Sequence, residues 1–131
     1  GGSAQRAWLD QRLAMAAAAK AEGQASWIVM VHHHPAFSSS HHGSEASVQR
    51  ELVPLYDAAG VDLVINGHDH VYERLAPQKG ITYFVTGSSG KLSPGDVRRS
   101  PSTAAAFDSD NAFVIVEIAG DDAGFYLQAV T

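Results

Sequence analysis

Two short apolar runs in this sequence each end in histidines: Trp27-Ile-Val-Met-Val-His-His-His-Pro35 and Val61-Asp-Leu-Val-Ile-Asn-Gly-His-Asp-His70. Of the seven histidines, five fall between positions 32 and 42, and the other two flank Asp69. Neutral imidazole is a common ligand of zinc, iron and copper, and added carboxylates move the preference toward manganese, iron and zinc hydrolytic centres. Only the imidazole part of such a centre is present, because no group of aspartates stands at a comparable position. Imidazoles without carboxylates favour zinc, nickel or copper over magnesium. His68 and His70 stand two apart, so in an extended segment they face one way while Asp69 faces the other. Gly67 permits a sharp turn just before them. His32 is expected to face the core or a neighbouring helix.

These side chains need a rigid base. Residues 27–31 are continuously apolar without in-out alternation, which predicts a central strand covered on both faces, ended by Pro35. Residues 44–59 are helical in pattern, Pro54 either breaks that helix or begins a second one, and Gly60 caps it. Residues 61–65 read as the next buried strand. Strand, helix, strand then predicts a parallel crossover whose carboxyl ends share one sheet edge, where open α/β sheets bind ligands. An amphipathic helix over 4–22 precedes this unit, with Gly23 as its stop. Residues 81–86 read as a third strand, 91–109 as a long loop, and 112–119 with 125–131 as a hairpin joined through 120–124.

At 131 residues, with 45% hydrophobic and 18% charged, the chain is long enough for one domain and too short for two. A net charge of −5 argues against a nucleic-acid partner. The absence of cysteine removes disulfides, thiolate zinc sites and cysteine nucleophiles together. No apolar run approaches the roughly 18 residues of a spanning helix, and the start lacks the charged-then-apolar pattern of a signal peptide. An amidohydrolase barrel, which also uses His-x-His, needs about 250 residues.

Three segments carry a family resemblance: Val31-His-His-His-Pro-Ala-Phe37, Asn66-Gly-His-Asp-His-Val-Tyr-Glu-Arg74 and Tyr83-Phe-Val-Thr-Gly-Ser-Ser-Gly90. They resemble the C-terminal half of the catalytic domain of calcineurin-like metallophosphoesterases, especially the purple acid phosphatase branch, and the similarity runs over residues 5–130. The helix start Gln5-x-x-Trp8-Leu9 resembles the segment after the Gly-Asn-His-Asp/Glu motif of that branch. The resemblance implies an α/β fold: half of the four-layer α/β/β/α metallophosphoesterase sandwich, with a β-α-β crossover followed by further strands. Carried over residue by residue, it implies that His33 and His68 ligate one metal and His70 its neighbour, with His34 as the alternative ligand if the register is off by one. His42, with His41 beside it, matches the loop histidine that contacts phosphate or protonates the leaving group. Tyr72, Glu73 and Arg74 match the motif's extension and are expected to support the ligands. Ser88, Ser89 and Gly90 either line the site through their backbone or form an ordinary strand exit.

The activity so implied is hydrolysis of phosphate esters, monoesters ahead of diesters. In the family two divalent or trivalent metal ions (Fe, Zn or Mn) about 3.5 Å apart clamp the phosphate and lower the pKa of the attacking water. The chain also departs from the family. The Asp-x-His, Gly-Asp-x-x-Tyr and Gly-Asn-His-Asp/Glu motifs expected before Gln5 do not occur, and Asp69, Asp96, Asp108 and Asp110 stand in no such motif. Residues 1–131 are therefore expected to form a single domain, the C-terminal part of a catalytic domain whose N-terminal metal-binding half is absent. Such a chain holds at most a partial metal site, has low activity alone, and takes the missing half or a second copy as partner. Neither nucleic acid nor membrane is expected. The alternative is a non-catalytic metal-binding or interaction module derived from the fold. An extracytoplasmic or secreted home follows only from the resemblance.

Overall fold

Helix-forming residues open the structure, a computed structural model that describes residues 3–118 and 125–131. Helix α1, Ala4–Ala21, starts at Ser3, whose hydroxyl accepts from the Arg6 amide at 3.2 Å. Leu13 is its buried residue, and Leu9 and Ala16 pack beside it on the core. At its far end Lys20 donates to both oxygens of Asp62 at 2.7 Å, and Asp62 Oδ2 accepts from the Ile28 amide at 2.8 Å. One carboxylate thus joins α1 to the starts of two strands.

Those strands are β1, Val29–His32, and β2, Leu63–Asn66, paired in parallel from Val29↔Leu63 to His32↔Asn66. Between them lie α2, Ala46–Glu51, and α3, Val53–Ala59. Pro54 stands in the first turn of α3, where a missing N–H costs nothing, and Gly60 ends it in the left-handed region at φ 68°. Strand β3 is Tyr72–Leu75, β4 is Thr82–Thr86 and β5 is Thr103–Phe107; the sheet order is β1-β2-β4-β3-β5, with β4 parallel to β2 and β3 antiparallel to both β4 and β5. A separate antiparallel ribbon pairs β6, Phe113–Ile118, with β7, Phe125–Val130. The expected turn at 120–124 lies outside the described residues.

Side-chain alternation divides the core. Val64, Tyr83 and Leu75 face the helices with Leu13, Ile28, Tyr56 and Val61, whereas Leu63, Phe84 and Tyr72 face the opposite side, against Ala105, Phe107, Val114, Val116 and Ala129. Helices, five-stranded sheet and ribbon form the α/β/β part of the expected sandwich. Full burial of side chains such as Phe84 contributes about 1.5–3 kcal/mol each.

Two expectations need correction. The first strand is not central: β1 is an edge strand, and Val31 and Val29 are 72% and 40% exposed. An apolar run reports that a strand is to be covered; it does not say by what, and among the described residues only β2 flanks β1. The second concerns 103–107, which form a strand within the expected long loop; 72–75, to which no element was assigned, form another. Glu73 and the three alanines 104–106 are poor strand formers, and pairing with β4 and with each other decides the state of these segments.

Candidate metal centre

The parallel register of β1 and β2 continues past their ends, since the Gly67 amide donates to the His33 carbonyl at 3.1 Å. Both histidine clusters therefore leave the sheet side by side. His33, His34 and His68 each offer one nitrogen, and these atoms lie within 4.8 Å of one another. His68 is the hub: its ring centroid is 5.2 Å from His33, 4.5 Å from His34 and 4.8 Å from His42, and His41 follows 5.4 Å from His42. Five histidines from three segments thus form one chain, and Arg98 Nη2 donates to His41 Nδ1 at 3.3 Å at its end.

The donor set fits a metal ion. His68 Nδ1 and His33 Nε2 stand 3.3 Å apart, which matches the edge of a tetrahedron with metal–nitrogen bonds of about 2.0–2.1 Å. The backbone of His68 is left-handed at φ 70°, unusual for a residue with a Cβ and concentrated at functional positions. That conformation breaks the extended geometry expected over 68–70. His70 lies outside the three-histidine group, and its carbonyl accepts from the Ser93 amide at 3.1 Å. Asp69 is buried, and its Oδ2 accepts from Ser38 Oγ at 2.6 Å.

A close contact holds this turn. A Cβ at Gly87, just beyond β4, would lie 2.2 Å from the Asp69 carbonyl oxygen, and the Gly87 amide donates to the Val71 carbonyl at 3.2 Å. Only glycine permits that approach. Sequence reasoning did not single out Gly87 or Arg98. The Gly-Ser-Ser-Gly run signals a turn, but its first glycine is distinguished only by the fold.

Desolvation, reinforced by the neighbouring His34, His42 and His33, holds His68 below the usual imidazole pKa. A neutral ring is the form that binds a cation. His32 is also lowered by burial; its ring lies against Tyr56 with centroids 5.9 Å apart and meets the Asn66 amide, apart from the cluster. A cavity of about 500 Å³, lined by Arg6, Trp8, Leu9, Met30 and Tyr56 among others, opens along β1 beside α1. The histidine cluster lies elsewhere, beyond the carboxyl ends of β1 and β2.

A family described as "Calcineurin-like phosphoesterase" matches residues 2–72. Purple acid phosphatase 3 of Arabidopsis thaliana is 35% identical over 69 residues, covering 53% of this chain and 19% of that protein. Among solved structures, the purple acid phosphatase PPD1 from yellow lupin seeds aligns with TM-score 0.82 at 19% identity, over 98% of this chain and 26% of its own. GAP50, described as the anchor in the inner membrane complex of Plasmodium, aligns with TM-score 0.79 at 26% identity, over 97% of this chain and 38% of its own. The chain spans about a fifth of the length of the curated purple acid phosphatase it matches.

Proposed function

Because this chain belongs to the calcineurin-like phosphoesterase family, we propose that its histidine cluster is the imidazole half of a two-metal centre that hydrolyses phosphate monoesters. The observation that carries the reading is the 3.3 Å approach of His33 Nε2 to His68 Nδ1, made by two loops that leave adjacent parallel strands. In this reading His33 and His68 hold one ion, His70 turns toward its neighbour, and His34 is the alternative ligand. Bound there, the metals supply positive charge to the phosphoryl oxygens and acidify a water. His42, whose ring lies beside His68, donates a proton to the departing oxygen, and His41, its Nδ1 engaged by Arg98, orients it. The metals are iron, zinc or manganese, and an extracytoplasmic setting accords with the purple acid phosphatase relatives.

The aspartate half of the centre belongs to the N-terminal part of such a domain. The exposed valines of β1 and the cavity beside it support a sheet that continues there onto chain outside these residues or onto a second copy. Replacing His33, His68 and His70 singly in the protein at its native length tests the assignment. Each change is expected to lower aryl phosphate turnover by about 10²-fold or more, the scale for losing metal-held charge. Turnover that survives all three changes defeats it.

A second reading is a non-catalytic module. Its support is the similarity to GAP50, described as an anchor. Among the described residues no helix is long and apolar enough to cross a membrane. Metal bound with native affinity but no turnover of any phosphate ester favours this alternative.

A further inference from the structure

We propose that Glu73 is a positioning residue that fixes the loop carrying His41 and His42, and so sets the angle at which His42 meets the departing group. The inference rests on the assignment of His42 as proton donor and adds the device that aims it. Glu73 sits in β3 with 1% of its surface exposed. A buried carboxylate persists only where donors surround it. Its donors come from two places: the Ser39 amide at 2.8 Å together with the Ser39 hydroxyl, and Thr103 Oγ1 of β5 at 2.8 Å. The Thr103 hydroxyl also lies 2.9 Å from Ser39 Oγ, which closes a triangle.

The neighbouring serine makes a single such bond, Ser38 Oγ donating to Asp69 Oδ2 at 2.6 Å. Two buried carboxylates four residues apart therefore grip two consecutive serines. The Arg98 amide donates to the Ser39 carbonyl at 3.0 Å while its guanidinium reaches His41, so the loop is also fixed from the 91–100 segment. His42 follows this clamp by three residues. The Ser39 amide has no strand to pair with, and in place of a sheet ladder it donates to a side-chain oxygen of Glu73. That gives a loop one defined conformation without making it part of the sheet.

The test is Glu73→Gln, which keeps the shape but presents an NH₂ group to at least one of the present donors, with Glu73→Asp as the conservative partner. The protein at its native length is assayed with phenyl phosphate, whose leaving group needs a proton, and with 2,4-dinitrophenyl phosphate, whose leaving group does not. For Glu73→Gln, kcat on phenyl phosphate is expected to fall roughly 10–100-fold at nearly constant KM, within the span assigned to general acid catalysis. On the dinitrophenyl ester it is expected to change less than about threefold, with zinc affinity unaltered and Glu73→Asp intermediate on phenyl phosphate. Equal losses on both esters, or none on either, overturn the proposal. Histidine ¹⁵N resonances separate it from the assignment of activity. If the unaltered protein turns over neither ester, a shifted or broadened His42 signal in Glu73→Gln still supports the clamp, and an unchanged one refutes it.

Discussion

Substituting Gly87 by alanine isolates the contact that holds the 68–70 turn. The added Cβ would meet the Asp69 carbonyl oxygen at 2.2 Å, its carbon at 3.0 Å and the His70 Cα at 3.5 Å. All three atoms are main chain, so no change of rotamer relieves the overlap. Carbon needs about 3.5 Å for an ordinary contact, so the end of β4 or the turn must shift by roughly 1 Å. Overpacking of this kind costs about 1–3 kcal/mol, a fall in Tm of roughly 3–12 °C for a domain of this size. The turn carries His68, so zinc affinity is expected to drop by about 10–100-fold, as when a group supporting a metal ligand is lost. Gly90→Ala is the control: a Cβ there meets nothing within 4 Å, and its Tm is expected to stay within about 2 °C of the parent. Circular dichroism melts and calorimetric zinc titrations read both quantities. Equal behaviour of the two variants in both assays would falsify the argument that this approach positions the metal ligands.

Burial pushes the hydroxyls of Tyr56 and Tyr83 up to about 12. The folded state therefore keeps protons that the unfolded chain loses above about 10, and stability is full below that pH and declines from 10 to 12; the Tyr56→Phe, Tyr83→Phe double variant is expected to flatten this alkaline limb in pH-dependent melts, and an unchanged limb refutes the assignment. Asp62→Ala removes the acceptor shared by Lys20 and the Ile28 amide, and is expected to cost about 1–3 kcal/mol in urea unfolding; a cost below about 0.3 kcal/mol would show that the junction of α1 with the sheet rests on other contacts. Val31→Lys, at a residue 72% exposed, is expected to change the stability of these 131 residues by less than about 0.5 kcal/mol. In the protein at its native length the same change is expected to cost several-fold more if the sheet continues past β1, and equal effects in the two contexts would argue against that continuation.

The crossover was legible because local signals agreed. An unbroken apolar run, Pro35, Pro54 in a first helical turn, the Gly60 cap and a second apolar run all pointed to two parallel strands with histidines at a common edge. The status of β1 as an edge was not legible, because valine suits a strand whether covered by neighbours or left open. Strands β3 and β5 were missed because pairing decides their state: β3 pairs with β4, 10–14 positions on, and with β5, 28–35 positions on. At the site, histidine spacing marked the residues that gather around His68. The left-handed backbone of His68 and the close approach of Gly87 to the Asp69 carbonyl belong to the assembled fold, which no local pattern encodes. Glu73 was read as a supporting residue, and the structure supplies what it supports: a serine 34 positions earlier in the chain.

Anomalous diffraction from crystals equilibrated with zinc, recorded on either side of the absorption edge, tests the central claim most directly. A peak is predicted within about 2.1 Å of a ring nitrogen of both His33 and His68, absent from crystals of His68→Ala. A peak that persists in His68→Ala, or no peak at this edge of the sheet, would contradict the assignment of these histidines as metal ligands.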